Sequence, residues 1–142
     1  MTEIFDTSAF PEQDDEEAMG EQTAAHLALG EEGEQVACKM LWRRGYRILQ
    51  RNYRHGRGEI DIVAEKQGRV HFVEVKTRSS ESLGPPEERV DGAKRDHLRR
   101  TARAYLDAFH AAPPAGVQFD VVAQVLDGQG KPREQQMLED VF

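Results

Sequence analysis

Cysteine is nearly absent from this chain. Cys38 is the single cysteine in 142 residues, so no intrachain disulfide can form. Cys38, His55, His71, His97 and His110 fall at no zinc-ligand spacing, which argues against a structural zinc. No apolar run approaches the roughly 20 residues that a membrane helix needs. The amino-terminal stretch lacks the basic-then-apolar order of a secretory signal. These absences lead us to expect a reducing, cytoplasmic setting and no membrane partner. There is no internal repeat. Basic residues are missing altogether from residues 1–22, which hold eight of the 26 acids. The other 120 residues carry 18 acids and all 19 bases, so the net charge of -7 belongs to that segment and the body is close to neutral.

What is present sorts into one domain behind an acidic tail. Residues 1–28 have no clear periodicity and read as disordered or loosely helical; residues 29–142 suit a single domain. In residues 31–44, Val36, Ala37, Met40 and Leu41 recur at helical spacing, and Gly45 supplies the stop. Residues 46–53 read as a strand and 55–58 as a turn. Residues 58–64 and 70–76 form the arms of a β-hairpin around Gly68. A loop over 79–86 ends at Pro85 and Pro86. A helix over 87–109 sets Leu98, Ala102, Tyr105, Leu106 and Phe109 against Lys94, Arg95, Arg99, Arg100 and Arg103. Residues 117–126 form a strong strand, 127–130 a turn, and the remainder is weakly patterned. The order αβββαβ predicts an α/β fold, a small mixed sheet flanked by helices. The long crossover helix makes its third and fourth strands parallel.

The hairpin carries charge where a buried strand should not. Glu59 and Asp61 stand on one arm, Glu74 and Lys76 on the other, and strand residues two apart share a face. Gathered carboxylates are costly unless they bind something, and hydrated magnesium is the natural occupant. Asp61 and Glu74 would supply carboxylates and the Val75 carbonyl a third oxygen. The Lys76 ammonium would hold an attacking water or a developing charge. Glu34 lies on the apolar side of the first helix with Ala37, Cys38 and Leu41, and tends toward the sheet, whereas Glu31 and Glu32 read as solvated. Glu59 is expected to bridge to Arg57 or Arg78. Asp120 is expected to be structural, capping a network with Arg78 or Thr77. Cys38 faces the core and is not expected to be a nucleophile. A lattice of cross-strand ion pairs would use the same hairpin residues.

Asp61, followed 13 residues later by Glu74-Val75-Lys76, resembles the PD-(D/E)xK signature of restriction-endonuclease-like nucleases, with Ile60 in place of the proline. The wider context is more specific. Gly30-Glu31-Glu32-Gly33-Glu34, Gly45-Tyr46-Arg47-Ile48-Leu49, Arg57-Gly58-Glu59-Ile60-Asp61, Phe72-Val73-Glu74-Val75-Lys76-Thr77-Arg78 and Phe119-Asp120-Val121-Val122 occur in that order. Together they are similar to the YraN-like family of small bacterial proteins, over about residues 29–142. The resemblance implies the restriction-endonuclease-like fold. It makes Glu34, Asp61, Glu74 and Lys76 the matching active-site positions and leaves cleavage itself open.

Charge distribution supplies a second line. Between Glu34 and Glu59 there are seven bases and no acid. Such a run suits a phosphate backbone, although an ordinary solvated face has the same composition. Arg43, Arg44, Arg54, Arg57, Arg78, Lys94 and Arg99 are the candidate nucleic-acid contacts. Tyr46, Tyr53 and Trp42 are interleaved and are candidates for base stacking, Trp42 equally for packing. The leading expectation is a Mg²⁺- or Mn²⁺-dependent nuclease acting on DNA, branched or processed structures included, with DNA favoured over RNA. The alternatives are a non-catalytic nucleic-acid-binding module of the same fold and a protein-interaction adaptor. Oligomeric state stays open, a homodimer included.

Overall fold

The computed structural model describes residues 24–80 and 92–141. Expectations for the acidic tail up to residue 23, and for the loop and helix start within 81–91, lie outside the described residues. Two helices and five strands make up the rest: α1 (Ala24–Arg43), β1 (Arg47–His55), β2 (Gly58–Lys66), β3 (Arg69–Ser79), α2 (Gly92–Ala108), β4 (Val117–Leu126) and β5 (Pro132–Leu138). They form an α/β fold with one mixed sheet in the order β1-β2-β3-β4-β5. β1, β2 and β3 are antiparallel neighbours, β3 and β4 run parallel as the crossover requires, and β5 returns antiparallel to β4. No helix among the described residues is long and apolar enough to cross a membrane.

α1 begins earlier than residue 31, within the stretch assigned to the tail, and it ends where expected. Gly45 takes φ +92°, a conformation that costs glycine little. The Gly45 amide then donates to the Trp42 carbonyl (3.0 Å) and the Tyr46 amide to the Leu41 carbonyl (3.0 Å), the paired bonds of a Schellman cap. That cap turns Tyr46 back onto Leu41, and both enter one core with Ala37, Met40, Ile62, Ala64, Val73 and Val122. On the opposite face, α2 presses Leu98, Ala102 and Tyr105 onto Ile60, Val63, Val70 and Phe72. Each fully buried aliphatic or aromatic side chain contributes about 1.5–3 kcal/mol. Truncating Leu41, which is 0% exposed, to alanine removes that and leaves a cavity, at a cost of about 2–5 kcal/mol.

β5 departs from the expected weakly patterned tail. Its sequence, Pro132-Arg133-Glu134-Gln135-Gln136-Met137-Leu138, is mostly exposed, so it has little apolar signal. Backbone pairing to β4 carries it, as suits an edge strand.

Candidate active site

The site begins where the sheet splits. β2 and β3 pair only from Lys66↔Arg69 to Ile62↔Val73. Beyond that point β2 continues with β1, through Tyr53↔Ile60 to His55↔Gly58, and β3 continues with β4 to Ser79↔Leu126. Asp61 is the first residue of the fork. Its Oδ2 accepts a hydrogen bond from the Val75 amide at 2.8 Å, where a strand partner would otherwise stand. β2 also rotates here: Ile60 packs into the α2 core and Ile62 into the α1 core. Opposite the turn, Asn52 takes φ +53°, which asparagine tolerates better than most residues. Glu59 and Asp61 nevertheless line the same cleft. Glu59 is exposed and pairs with Arg54 (3.5 Å) rather than with the expected Arg57 or Arg78.

Glu74 faces the fork from β3. Its Oε2 takes a contact from Lys76 Nζ at 3.4 Å and a hydrogen bond from Lys94 Nζ on α2. Asp61, Glu74 and Lys94 line a cleft of about 430 Å³ with Gly58, His97 and Phe119. Gly58 is required by contact, since a Cβ there would lie 1.8 Å from Thr101 Oγ1.

Glu34 approaches from α1. Arg51 of β1 pairs with its Oε1 at 3.4 Å. The preceding Gly33 lets the helix close on β3, because a Cβ would meet Thr77 Oγ1 at 2.2 Å. Gln124 locks this junction: its Nε2 donates to the Gly33 carbonyl (2.6 Å) and to Thr77 Oγ1 (3.1 Å). Gln124 has no role in the sequence reading, and Arg51 enters it only as one of the seven bases between Glu34 and Glu59. The signal for Gln124 was a glutamine recurring within the apolar run of β4.

The electrostatics follow from burial and acid crowding. Burial, together with the charges of Glu34, Glu74 and Glu59, pushes the Asp61 carboxyl up to about 7, against the pull of the Val75 amide. Burial also raises Glu34, and Arg51 and Asn52 oppose it. Lys94 is held above its ordinary range: burial disfavours its charge, and the hydrogen bond and charge of Glu74 outweigh that. Burial pushes the Cys38 thiol up to about 11, so it is no activated nucleophile. Among the described residues, no three His, Cys, Asp or Glu side chains form a ready-made metal cage. The two hairpin carboxylates and the Val75 carbonyl, next to Glu74, are the oxygen donors at hand.

The candidate contact residues spread widely. Arg43, Arg44, Arg54, Arg57 and Arg99 are exposed, while Arg78 and Lys94 are half-buried. Trp42 is 72% exposed and therefore not a packing residue. Tyr46 is buried, and Tyr53 lies edge-on to Tyr105 (5.2 Å) and Phe109 (6.4 Å), so these two are committed to cores instead of stacking surfaces. Asp120 is structural as expected but with other partners: His71, Gln118 and the Asp140 amide. It stands opposite Val73 in the register, four residues before Thr77, out of reach of the expected network.

The helices, the order of strands and the forked, charged hairpin define a restriction-endonuclease-like αβββαβ core, extended by β5. The chain belongs to the uncharacterised protein family UPF0102, whose family model matches residues 33–124. The first and last matched residues are the hydrogen-bonded Gly33 and Gln124. A UPF0102 protein of Moorella thermoacetica is 46% identical over 113 residues, covering 80% of this chain and 93% of that one. One from Chlorobium phaeobacteroides is 50% identical over 95 residues (67% and 75%). One from Streptomyces griseus is 41% identical over 108 residues (76% and 91%).

Proposed function

We propose that this protein is a divalent-metal-dependent nuclease that hydrolyses phosphodiester bonds in DNA, branched or processed structures included. The observation that carries the reading is Asp61. Its carboxylate is held at a sheet fork and opens on a cleft shared with Glu74, and burial with three neighbouring acids raises its pKa. A carboxylate in such surroundings gains most from a cation. Asp61, Glu74 and the Val75 carbonyl suit Mg²⁺ or Mn²⁺, which use few protein oxygens and keep several waters. The ion would neutralise the phosphate and lower the pKa of a bound water. Lys76, beside Glu74, positions the attacking water, and Glu34 sustains the negative field behind Asp61. Arg57 and Lys94 at the cleft, with Arg43, Arg44, Arg54, Arg78 and Arg99, provide the contacts to the strand. The single, half-buried thiol suits a reducing, cytoplasmic setting.

A second reading rests on one contact. Lys94 already neutralises Glu74, as a metal would, so the fold could bind nucleic acid without cleaving it. Calorimetric Mn²⁺ titration of the wild type and Asp61→Ala separates the two. A cleavage screen on single-stranded, duplex and junction DNA follows, with Glu74→Ala and Lys76→Ala as controls. The nuclease reading expects Mn²⁺ binding lost in Asp61→Ala and cleavage lost in all three variants. Salt-dependent DNA binding with no metal uptake would favour the second.

A further inference from the structure

A second cleft, of about 360 Å³, opens at the other end of the sheet, where β3 and β4 begin. Its lining differs in kind from the carboxylate site. Arg44 after α1, Lys66 ending β2 and Arg69 starting β3 bring three cations to it, against Glu139 as the one acid in the wall. In a body whose acids and bases nearly balance, three cations against one acid are a local surplus of positive charge.

The floor is rigid. His71 Nδ1 is hydrogen-bonded to Asp120 Oδ2 at 2.7 Å, and Asp120 is 0% exposed. Asp120 Oδ1 accepts from Gln118 Nε2 (2.9 Å) and the Asp140 amide (2.8 Å). With Nδ1 engaged, Nε2 is the imidazole atom left for a ligand. Gln118 in turn accepts from Arg69 Nη1 at 2.9 Å, and Arg69 Nε donates to the Ala115 carbonyl at 3.2 Å. Those bonds use two of five guanidinium donors and fix the fork before any ligand arrives. Lys66 Nζ sits 4.9 Å from the centre of the Tyr46 ring, which itself stands edge-on to His71 at 4.9 Å. Burial, with Glu139 and Asp120, pushes the Tyr46 phenol up to about 12, so it adds no negative charge at working pH.

The three cations are the donor set for a compact anion carrying several oxygens, and His71 Nε2, an acceptor while Nδ1 donates to Asp120, suits the hydroxyl of a singly protonated phosphate. The volume lies at the small end of ligand pockets. We propose that this cleft binds a phosphate group, free or as the terminal phosphomonoester of a nucleotide or strand. The site shares no residue with the Asp61 cleft, and its existence does not depend on the nuclease reading.

Three probes test it, at constant pH and low salt: inorganic phosphate, a 5′-phosphorylated hexathymidylate, and the same oligomer with a 5′-hydroxyl. The readouts are calorimetry and the NMR shifts of the His71 imidazole. Inorganic phosphate or the phosphorylated oligomer is expected to move His71, and the hydroxyl oligomer to leave it in place. A response to inorganic phosphate alone would support the site and assign it to a small ligand. Lys66→Gln and Arg69→Gln are each expected to weaken binding at least about tenfold, with thermal unfolding as the check on folding. Asp61→Asn should leave phosphate binding unchanged, even if it abolishes cleavage. A hydroxyl oligomer that shifts His71 as strongly as the phosphorylated one, or no shift with any probe, would overturn the proposal.

Discussion

Asp61 and Asp120 are drawn into the same sheet from neighbouring regions, and their surroundings are opposites. Asp120 is fully buried and accepts three hydrogen bonds, from His71, Gln118 and the Asp140 amide. Asp61 has one backbone donor, the Val75 amide, and three acids near enough to oppose its charge. One carboxylate is built into the fold as an acceptor hub. The other is kept at the cost of stability, the usual mark of a binding or catalytic position. The fork explains the contrast. Where β3 and β4 pair without interruption, side chains can satisfy each other across the register. Where β2 leaves β3, one carboxylate must replace a strand.

The largest effect should come from removing each acid in turn. Asp120→Ala leaves His71, Gln118 and the Asp140 amide without their shared acceptor, and is expected to cost about 3–5 kcal/mol. Asp61→Asn should act in the opposite direction. In metal-free protein at pH 8 it removes a disfavoured buried charge and is expected to stabilise by about 2–4 kcal/mol. Urea unfolding of both variants in chelator checks this. Destabilisation of similar size in the two would erase the distinction.

The same contrast predicts a pH dependence. In the fold, Asp61 titrates near 7, above its ordinary 3.8. A raised carboxyl favours the folded state while protonated. That contribution is fully present below about pH 4 and lost as pH rises through about 7. Glu34, also raised by burial, adds in the same sense. Metal-free wild type should therefore lose on the order of 2–4 kcal/mol from Asp61 between these limits, and Asp61→Asn should lose less. Divalent ion reverses the trend, because it binds the deprotonated form; Mn²⁺ should raise the Tm strongly at pH 8 and weakly at pH 5. Parallel stability-against-pH curves for wild type and Asp61→Asn would contradict this account.

A smaller effect concerns how the cleft wall is closed. Gly58→Ala places a methyl 1.8 Å from Thr101 Oγ1, and overpacking of that kind costs about 1–3 kcal/mol. Thr101→Ala should recover part of it in the double variant, giving a coupling that a thermal-unfolding cycle can read. Simple additivity would show that the wall relaxes elsewhere.

These contrasts divide what was legible in the sequence from what was not. Local rules worked where local causes dominate. Gly45 ended α1 through its own conformation, and Val117–Leu126 announced β4 by apolar content. The candidate positions Glu34, Asp61, Glu74 and Lys76 follow from hairpin spacing, the helix face and the family resemblance, and the fold brings them to one fork, with Glu34 behind it. What escaped depends on partners far along the chain. Period-two alternation does not show that β2 rotates opposite Asn52, in a different strand, and so sends Ile60 and Ile62 into opposite cores. The His71–Asp120 pair spans 49 positions and exists only because β3 and β4 align in parallel. Lys94 reaches Glu74 from a helix 20 positions away. β5 was missed because an edge strand of polar residues leaves no apolar pattern to find.

The smallest expected effect sharpens the comparison most narrowly. Glu59 is exposed and pairs with an exposed Arg54, so Glu59→Gln should change stability by no more than about 0.5 kcal/mol. Yet Glu59 is one of the three acids that push Asp61 upward. Its neutralisation should lower the Asp61 midpoint slightly while Mn²⁺ stoichiometry stays the same, since Glu59 is exposed and engaged by Arg54. A carboxyl-detected NMR titration of Asp61 in both proteins measures the shift. Loss of metal binding in Glu59→Gln would instead make Glu59 a ligand. The cleft that Glu59 and Asp61 both line would then hold a wider metal site than Asp61, Glu74 and Val75 alone.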